Sequence, residues 1–177
     1  EIINTIKKLI ENKNYGIPEM KPWYKNFQGT IEKDKKKGTY RSYGKWERKD
    51  RSTLIITELP IGTWTQNYKN FLDKILNEGE TITDVYDDTS DTTIYFELKA
   101  PSLKINEWIE NDKIIKMFKL SDNIPLNLTL FDENEKIVVF NSPEEILYHF
   151  FKIRKELYKK RYTHITKEYQ KNINLVQ

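Results

Sequence analysis

Ile56-Thr57-Glu58-Leu59-Pro60-Ile61-Gly62-Thr63-Trp64-Thr65 closes one buried element, turns, and opens another. Leu54, Ile55 and Ile56 lead into it as a β-branched apolar run, the pattern of a short strand covered on both faces. Pro60 and Gly62 prevent that strand from continuing. Thr63 is placed to cap a helix over residues 64–78, Gln66 three residues on would complete a capping box, and Gly79 is a natural stop. Trp64, Tyr68, Phe71, Leu72, Ile75 and Leu76 recur every three or four residues, so one face of the helix is apolar and is expected to pack. Such a corner needs no chemistry of its own.

Outward from this corner, 177 residues suffice for one domain with a core and an appendage, burying roughly 70% of the unfolded surface. Charged residues make up 32% and aromatics 13%, which excludes a disordered chain and leaves a polar surface. The absence of cysteine excludes disulfides and cysteine-ligated zinc, and fits a reducing compartment. No apolar run approaches the roughly 20 residues that span a bilayer, so a soluble protein without a membrane partner is expected. Glu1 already sits in a helical pattern with Ile2, Ile3, Ile6, Leu9 and Ile10, which reads as a fragment of a larger protein. The net charge of +3 hides segregation: residues 33–51 carry a net +6, residues 78–97 a net −7 and residues 150–171 a net +6.

Residues 1–13 read as an amphipathic helix. Gln28 to Lys33 and Thr39 to Arg48 read as a hairpin around Asp34-Lys35-Lys36-Lys37-Gly38, with Tyr40, Ser42, Gly44, Trp46 and Arg48 on one face. After the corner, Thr81 to Tyr86 and Thr92 to Lys99 form a second hairpin. Ser102 is placed to cap a helix over 103–111, the 114–120 run fits helix or strand equally, and Leu126 to Phe131 with Ile137 to Phe140 make a third strand pair. Ser142-Pro143-Glu144-Glu145 is a helix start, and the helix it opens extends to about Lys171. At about 43 Å it outruns a compact domain, so its far end is expected to project as one helix of an antiparallel pair. These elements predict an α+β fold: a mixed or antiparallel sheet with packed helices and a long C-terminal helix.

Chemistry is sparse. Asp84, Asp87, Asp88 and Asp91 cluster in a hairpin without the spacing, glycine or terminal glutamate of a calcium loop, and a solvated turn accounts for them. His149 and His164 have no companion ligands, and no phosphate-cradling lysine loop or activated nucleophile is present. The basic hairpin offers more, because Lys33, Lys35, Lys36, Lys37, Arg41, Lys45, Arg48, Lys49 and Arg51 interleave with Tyr40, Tyr43 and Trp46. That composition fits a nucleic-acid face and a solvated strand pair equally.

Several stretches share a further property. Pro22-Trp23-Tyr24-Lys25-Asn26-Phe27-Gln28-Gly29-Thr30-Ile31, Tyr40-Arg41-Ser42-Tyr43-Gly44, the decapeptide, Phe118-Lys119-Leu120, Leu130-Phe131-Asp132 and the run from Phe150-Phe151 to Leu157-Tyr158-Lys159-Lys160-Arg161 resemble, in order, the eukaryotic and large-virus type IIA DNA topoisomerases. The resemblance falls on the tower of the DNA breakage-reunion core and the start of its coiled-coil arm. It implies a helix leading in from a winged-helix domain at 1–13, a tower over 14–141 and the arm helix over 142–177. It also implies an ATP-dependent homodimer acting on double-stranded DNA, in the nucleus or, for a cytoplasmic large DNA virus, in the cytoplasm. The catalytic tyrosine, Mg²⁺ carboxylates and ATPase of such enzymes precede the matched region, so this segment would hold no cofactor and be inactive alone.

The same resemblance makes Lys119, Leu120, Ser121, Asp122, Asn123, Ile124, Pro125, Leu126, Asn127 and Leu128 a DNA-contacting stretch, one residue shorter here than in the family. Lys119, Ser121, Asn123 and Asn127 would donate. Lys35, Lys36, Lys37, Arg41 and Lys45 join them on the basic hairpin. Asn26 stands where the family usually has glycine. The implied role is to support the bent duplex beside the cleavage site, whose deformation costs several kcal/mol. A stand-alone nucleic-acid-binding module and a purely structural brace of the dimer are the alternatives.

Overall fold

The computed structural model describes residues 1–12, 14–34 and 39–176. The chain forms two compact units, one of Pro22–Leu126 and one of Glu1–Lys21 with Asn127–Gln177. Antiparallel sheets and helices in both make this an α+β protein, with a long C-terminal helix.

In the first unit, β1 (Thr30–Lys33), β2 (Tyr40–Tyr43) and β7 (Ser121–Ile124) form a three-stranded antiparallel sheet with β2 in the middle. A four-stranded sheet follows the order β3 (Lys45–Arg48), β4 (Thr53–Glu58), β6 (Phe96–Lys99), β5 (Asp84–Asp87). Central β4 buries Thr53, Leu54, Ile55 and Ile56 in succession, as its unbroken apolar run requires. Helix α2 (Thr65–Glu78) lays Tyr68, Leu72 and Ile75 into the core, where the Tyr68 ring meets Phe96 at 5.6 Å. It ends at Gly79, whose left-handed φ of 68° suits a residue without Cβ. Helices α3 (Ser102–Glu110) and α4 (Ile114–Met117) add Ile105, Trp108 and Ile114 to the same core.

In the second unit, α1 (Ile2–Glu11) buries Thr5 and Leu9, and β8 (Thr129–Phe131) pairs with β9 (Ile137–Val139). Helix α5 (Pro143–Val176) runs 34 residues, about 51 Å. Its cap is as the sequence predicts: the Glu145 N–H donates to Ser142 Oγ at 3.2 Å, while the Glu145 carboxylate accepts from the Asn141 N–H at 2.8 Å. Glu144 in the same turn accepts from the Met20 N–H at 2.6 Å.

Four local expectations change. The predicted strand over 39–48 is two strands in different sheets, parted at Gly44, where a Cβ would lie 2.3 Å from the Glu58 carbonyl oxygen. Close backbone approach there, sealed by the Gly44 N–H donating to the Leu120 carbonyl at 2.9 Å, ends the alternating faces. Thr63 is not the cap of α2: Trp64 is, with no side-chain hydrogen bond, and its ring is exposed rather than packed. Ser102 opens α3 as its first residue, behind Pro101, and makes no capping bond. The 114–120 run resolves into α4 and a tight turn, and 121–124 adds a strand that the sequence pattern did not predict, because two of its four residues are Asp and Asn.

Candidate nucleic-acid interface

Helix α4 ends in a Schellman turn: the Leu120 N–H donates to the Ile115 carbonyl at 2.8 Å and the Lys119 N–H to Lys116 at 3.4 Å. Such a turn needs a left-handed residue, and Lys119 fills it at φ 49°. The turn drives Leu120 into the core, fully buried, and turns Lys119 outward with its Nζ 4.2 Å from the centre of the Phe71 ring. Strand β7 then pairs with β2, placing Ser121 opposite Tyr43, Asp122 opposite Ser42 and Asn123 opposite Arg41. Arg41 Nε donates to Asn123 Oδ1 at 3.1 Å, which fixes the guanidinium at the sheet surface.

The decapeptide and the helix after it buttress this strand pair from behind. Ser42, fully buried, donates its hydroxyl to the Asp122 carbonyl at 3.3 Å and accepts the Ile61 N–H at 3.1 Å. Tyr68 of α2 donates to the Phe118 carbonyl at 2.8 Å, and burial pushes its phenol far above the usual range, so it stays a neutral donor.

These elements enclose an open groove of about 770 Å³ whose charged lining is Arg41, Lys116, Lys119, Asp112 and Asp122. Thr63 and Asn67 line it as well, which brings in the first turn of α2. That turn has no side-chain cap, so its free N–H groups add partial positive charge. The groove offers cations and N–H donors but neither an activated nucleophile nor a positioned base. Such a lining suits an anion.

The sequence-expected residues are distributed unevenly. Arg41, Lys119, Ser121 and Asp122 line the groove, with Asn123 bonded to Arg41 beside it. Leu120 and Ile124 are core side chains, while Pro125 and Leu126 are exposed. Asn127 and Leu128 belong to the other unit, where Asn127 Oδ1 accepts the Thr129 N–H at 3.1 Å. Lys45 is exposed on β3, in the other sheet of its unit. Lys35, Lys36 and Lys37 lie outside the described residues. Lys116, Thr63 and Asn67 were missed; the charge interrupting the apolar 114–120 run was the one sequence signal for Lys116.

Elsewhere several acidic groups are paired. Asp84 meets Lys99 at 2.9 Å and Asp87 meets Lys69 at 2.6 Å. His149 meets Glu133 at 3.3 Å. Among the described residues no group of three or more His, Cys, Asp or Glu gathers to hold a metal ion. No described helix is long and apolar enough to cross a membrane.

The family model for the A subunit of DNA gyrase/topoisomerase IV matches residues 1–177. DNA topoisomerase 2 of Plasmodium falciparum (isolate K1 / Thailand) is 37% identical over 179 residues, covering 99% of this chain and 12% of that protein. DNA topoisomerase 2-alpha of Gallus gallus is 38% identical over 164 residues, 89% of this chain and 10% of that protein. The chain thus spans about a tenth of the length of these relatives. A crystal structure of the Plasmodium falciparum topoisomerase II DNA-binding, cleavage and re-ligation domain superposes with a TM-score of 0.83 at 36% identity, covering 92% of this chain and 22% of that one.

Proposed function

The chain belongs to the type IIA DNA topoisomerase family, on its eukaryotic topoisomerase II side, and from that premise we propose that it is the tower of a breakage-reunion core with the base of a coiled-coil arm. Within an ATP-dependent homodimer it supports the bent duplex beside the cleavage site by holding its phosphates. The segment 1–13, which holds α1, leads in from a winged-helix domain, 14–141 is the tower and 142–177 starts the arm. The tyrosine that opens the strand, the Mg²⁺ carboxylates and the ATPase belong to other parts of the enzyme, whose site of action is the nucleus. One of the similar proteins is named DNA topoisomerase 2, mitochondrial, from Dictyostelium discoideum.

The observation that carries the reading is the family match over residues 1–177 together with the cations brought to one groove by two separate chain segments, Arg41 from β2 and Lys116 and Lys119 from α4 and the turn after it. Fixed cations at a surface offset part of the cost of bending DNA, because each neutralised phosphate releases counterions. Lys35, Lys36 and Lys37, and Lys45 on β3, extend the same role, and Ser121, Asn123 and Asn127 supply polar contacts.

Reversing charge at Arg41, Lys116 and Lys119 to Glu in the full-length protein tests this. Duplex affinity should drop at least tenfold, about 1.4 kcal/mol, with DNA cleavage reduced in parallel. Unchanged affinity and cleavage would favour a structural brace.

A further inference from the structure

The far half of α5 divides its surface by charge. Lys160, His164, Lys167 and Lys171 follow one another at intervals of four, three and four residues, so they lie on a single face. All four are exposed. Tyr158, Tyr162, Ile165 and Tyr169 recur by the same spacing on the opposite side. The basic face is therefore not the one a packing helix would cover.

The stripe is also electrostatically open. Among the described residues Lys160, Lys167 and Lys171 make no ion pair. Glu156 is occupied by Lys159 at 2.8 Å, and Glu168 stands 3.6 Å from His164 at the margin. A shallow hollow of about 400 Å³ is lined by Lys159, Lys160, Thr163, His164 and Lys167. From Lys160 to Lys171 the stripe extends about 16 Å, the rise of roughly five base pairs.

We propose that this face of α5 is a second duplex-binding surface, gripping the phosphate backbone without reading sequence, separate from the Arg41–Lys116–Lys119 groove. A linear row of unpaired lysines suits a linear polyanion. It lacks the buried polar anchors that a small phosphorylated ligand or a peptide would need. The proposal rests on the duplex-handling role above.

The test is a Lys160→Gln, Lys167→Gln, Lys171→Gln variant of the full-length protein beside a matching Lys→Arg triple, with linear duplex binding followed over a salt series. Glutamine keeps helix propensity, and circular dichroism checks that the helix persists. The slope of log affinity against log salt should become shallower by about 2.7, since each lost phosphate contact removes about 0.9, and the arginine triple should retain the original slope. If the triple loses helix content, Lys167→Gln alone should still shift the slope by about 0.9. An unchanged slope in the folded glutamine variants overturns the proposal. The groove reading would survive that result if the Arg41, Lys116 and Lys119 reversal still weakens binding; if neither set of changes matters, both fail. Duplex binding unaltered while binding to anionic phospholipid vesicles is lost would also overturn it, making the stripe a lipid surface.

Discussion

Lys119 holds a position that glycine would fill with less strain. A left-handed φ of 49° costs a side chain with a Cβ about 1–2 kcal/mol, and the cation over the Phe71 ring returns about 0.5–1 kcal/mol at most for an exposed site. If the residue is kept for its charge, folding and binding should separate on substitution. Lys119→Gly is expected to leave stability unchanged or raise it by up to about 1 kcal/mol in urea unfolding, while duplex affinity falls. A variant that both destabilises the fold and binds normally would show that Lys119 serves structure alone. Asn26 shows the opposite compromise: its φ of 65° is the left-handed conformation that glycine would supply, and Asn tolerates it better than most residues. Ser42 is legible only in the fold, since no local pattern marks a serine that will be buried between two backbone partners.

At the scale of elements, the four-stranded sheet is tied together across its central strand. Glu97 on β6 accepts from Lys49, which follows β3, at 2.5 Å and from the Tyr95 hydroxyl at 2.6 Å. The Lys49 hydrogen bond, then that of Tyr95, holds the Glu97 carboxyl below its ordinary value of 4.5. A folded-state value below the unfolded one means that the stabilisation is complete above about pH 4.5 and is lost as pH falls through the lower folded value. Melting temperature should therefore drop on acidification, and Glu97→Gln should flatten that drop while lowering the neutral-pH melting point slightly. Equal acid sensitivity in both proteins would assign it to other carboxylates, such as Asp84 beside Lys99. The acidic segment that the sequence marked is in this sense partly a structural device: Asp84, Asp87 and Glu97 each answer a lysine.

For the molecule as a whole, duplex binding by the groove and its neighbours should be steep in salt. If Arg41, Lys45, Lys116 and Lys119 each neutralise one phosphate, the slope of log affinity against log salt is about −3.6, and a flat dependence would exclude a phosphate-tracking surface. Family, fold class and the long capped helix were all legible in the sequence. Periodicity, caps and breakers act within a few residues, and the ordered motifs from Pro22 to Arg161 carry the family resemblance directly. The decapeptide with its flanks, Leu54 to Gly79, specified a buried strand, a turn and a helix ending at Gly79. What it could not specify was the company that turn keeps. Gly44 divides a predicted strand because the Glu58 backbone passes against it, Ser121–Ile124 become a strand because β2 offers an edge, and Lys119 joins Arg41 because α4 ends in a left-handed turn. Local propensity is a property of neighbours in sequence. The groove is made by residues some eighty positions apart, and only long-range backbone pairing and core packing could bring them together.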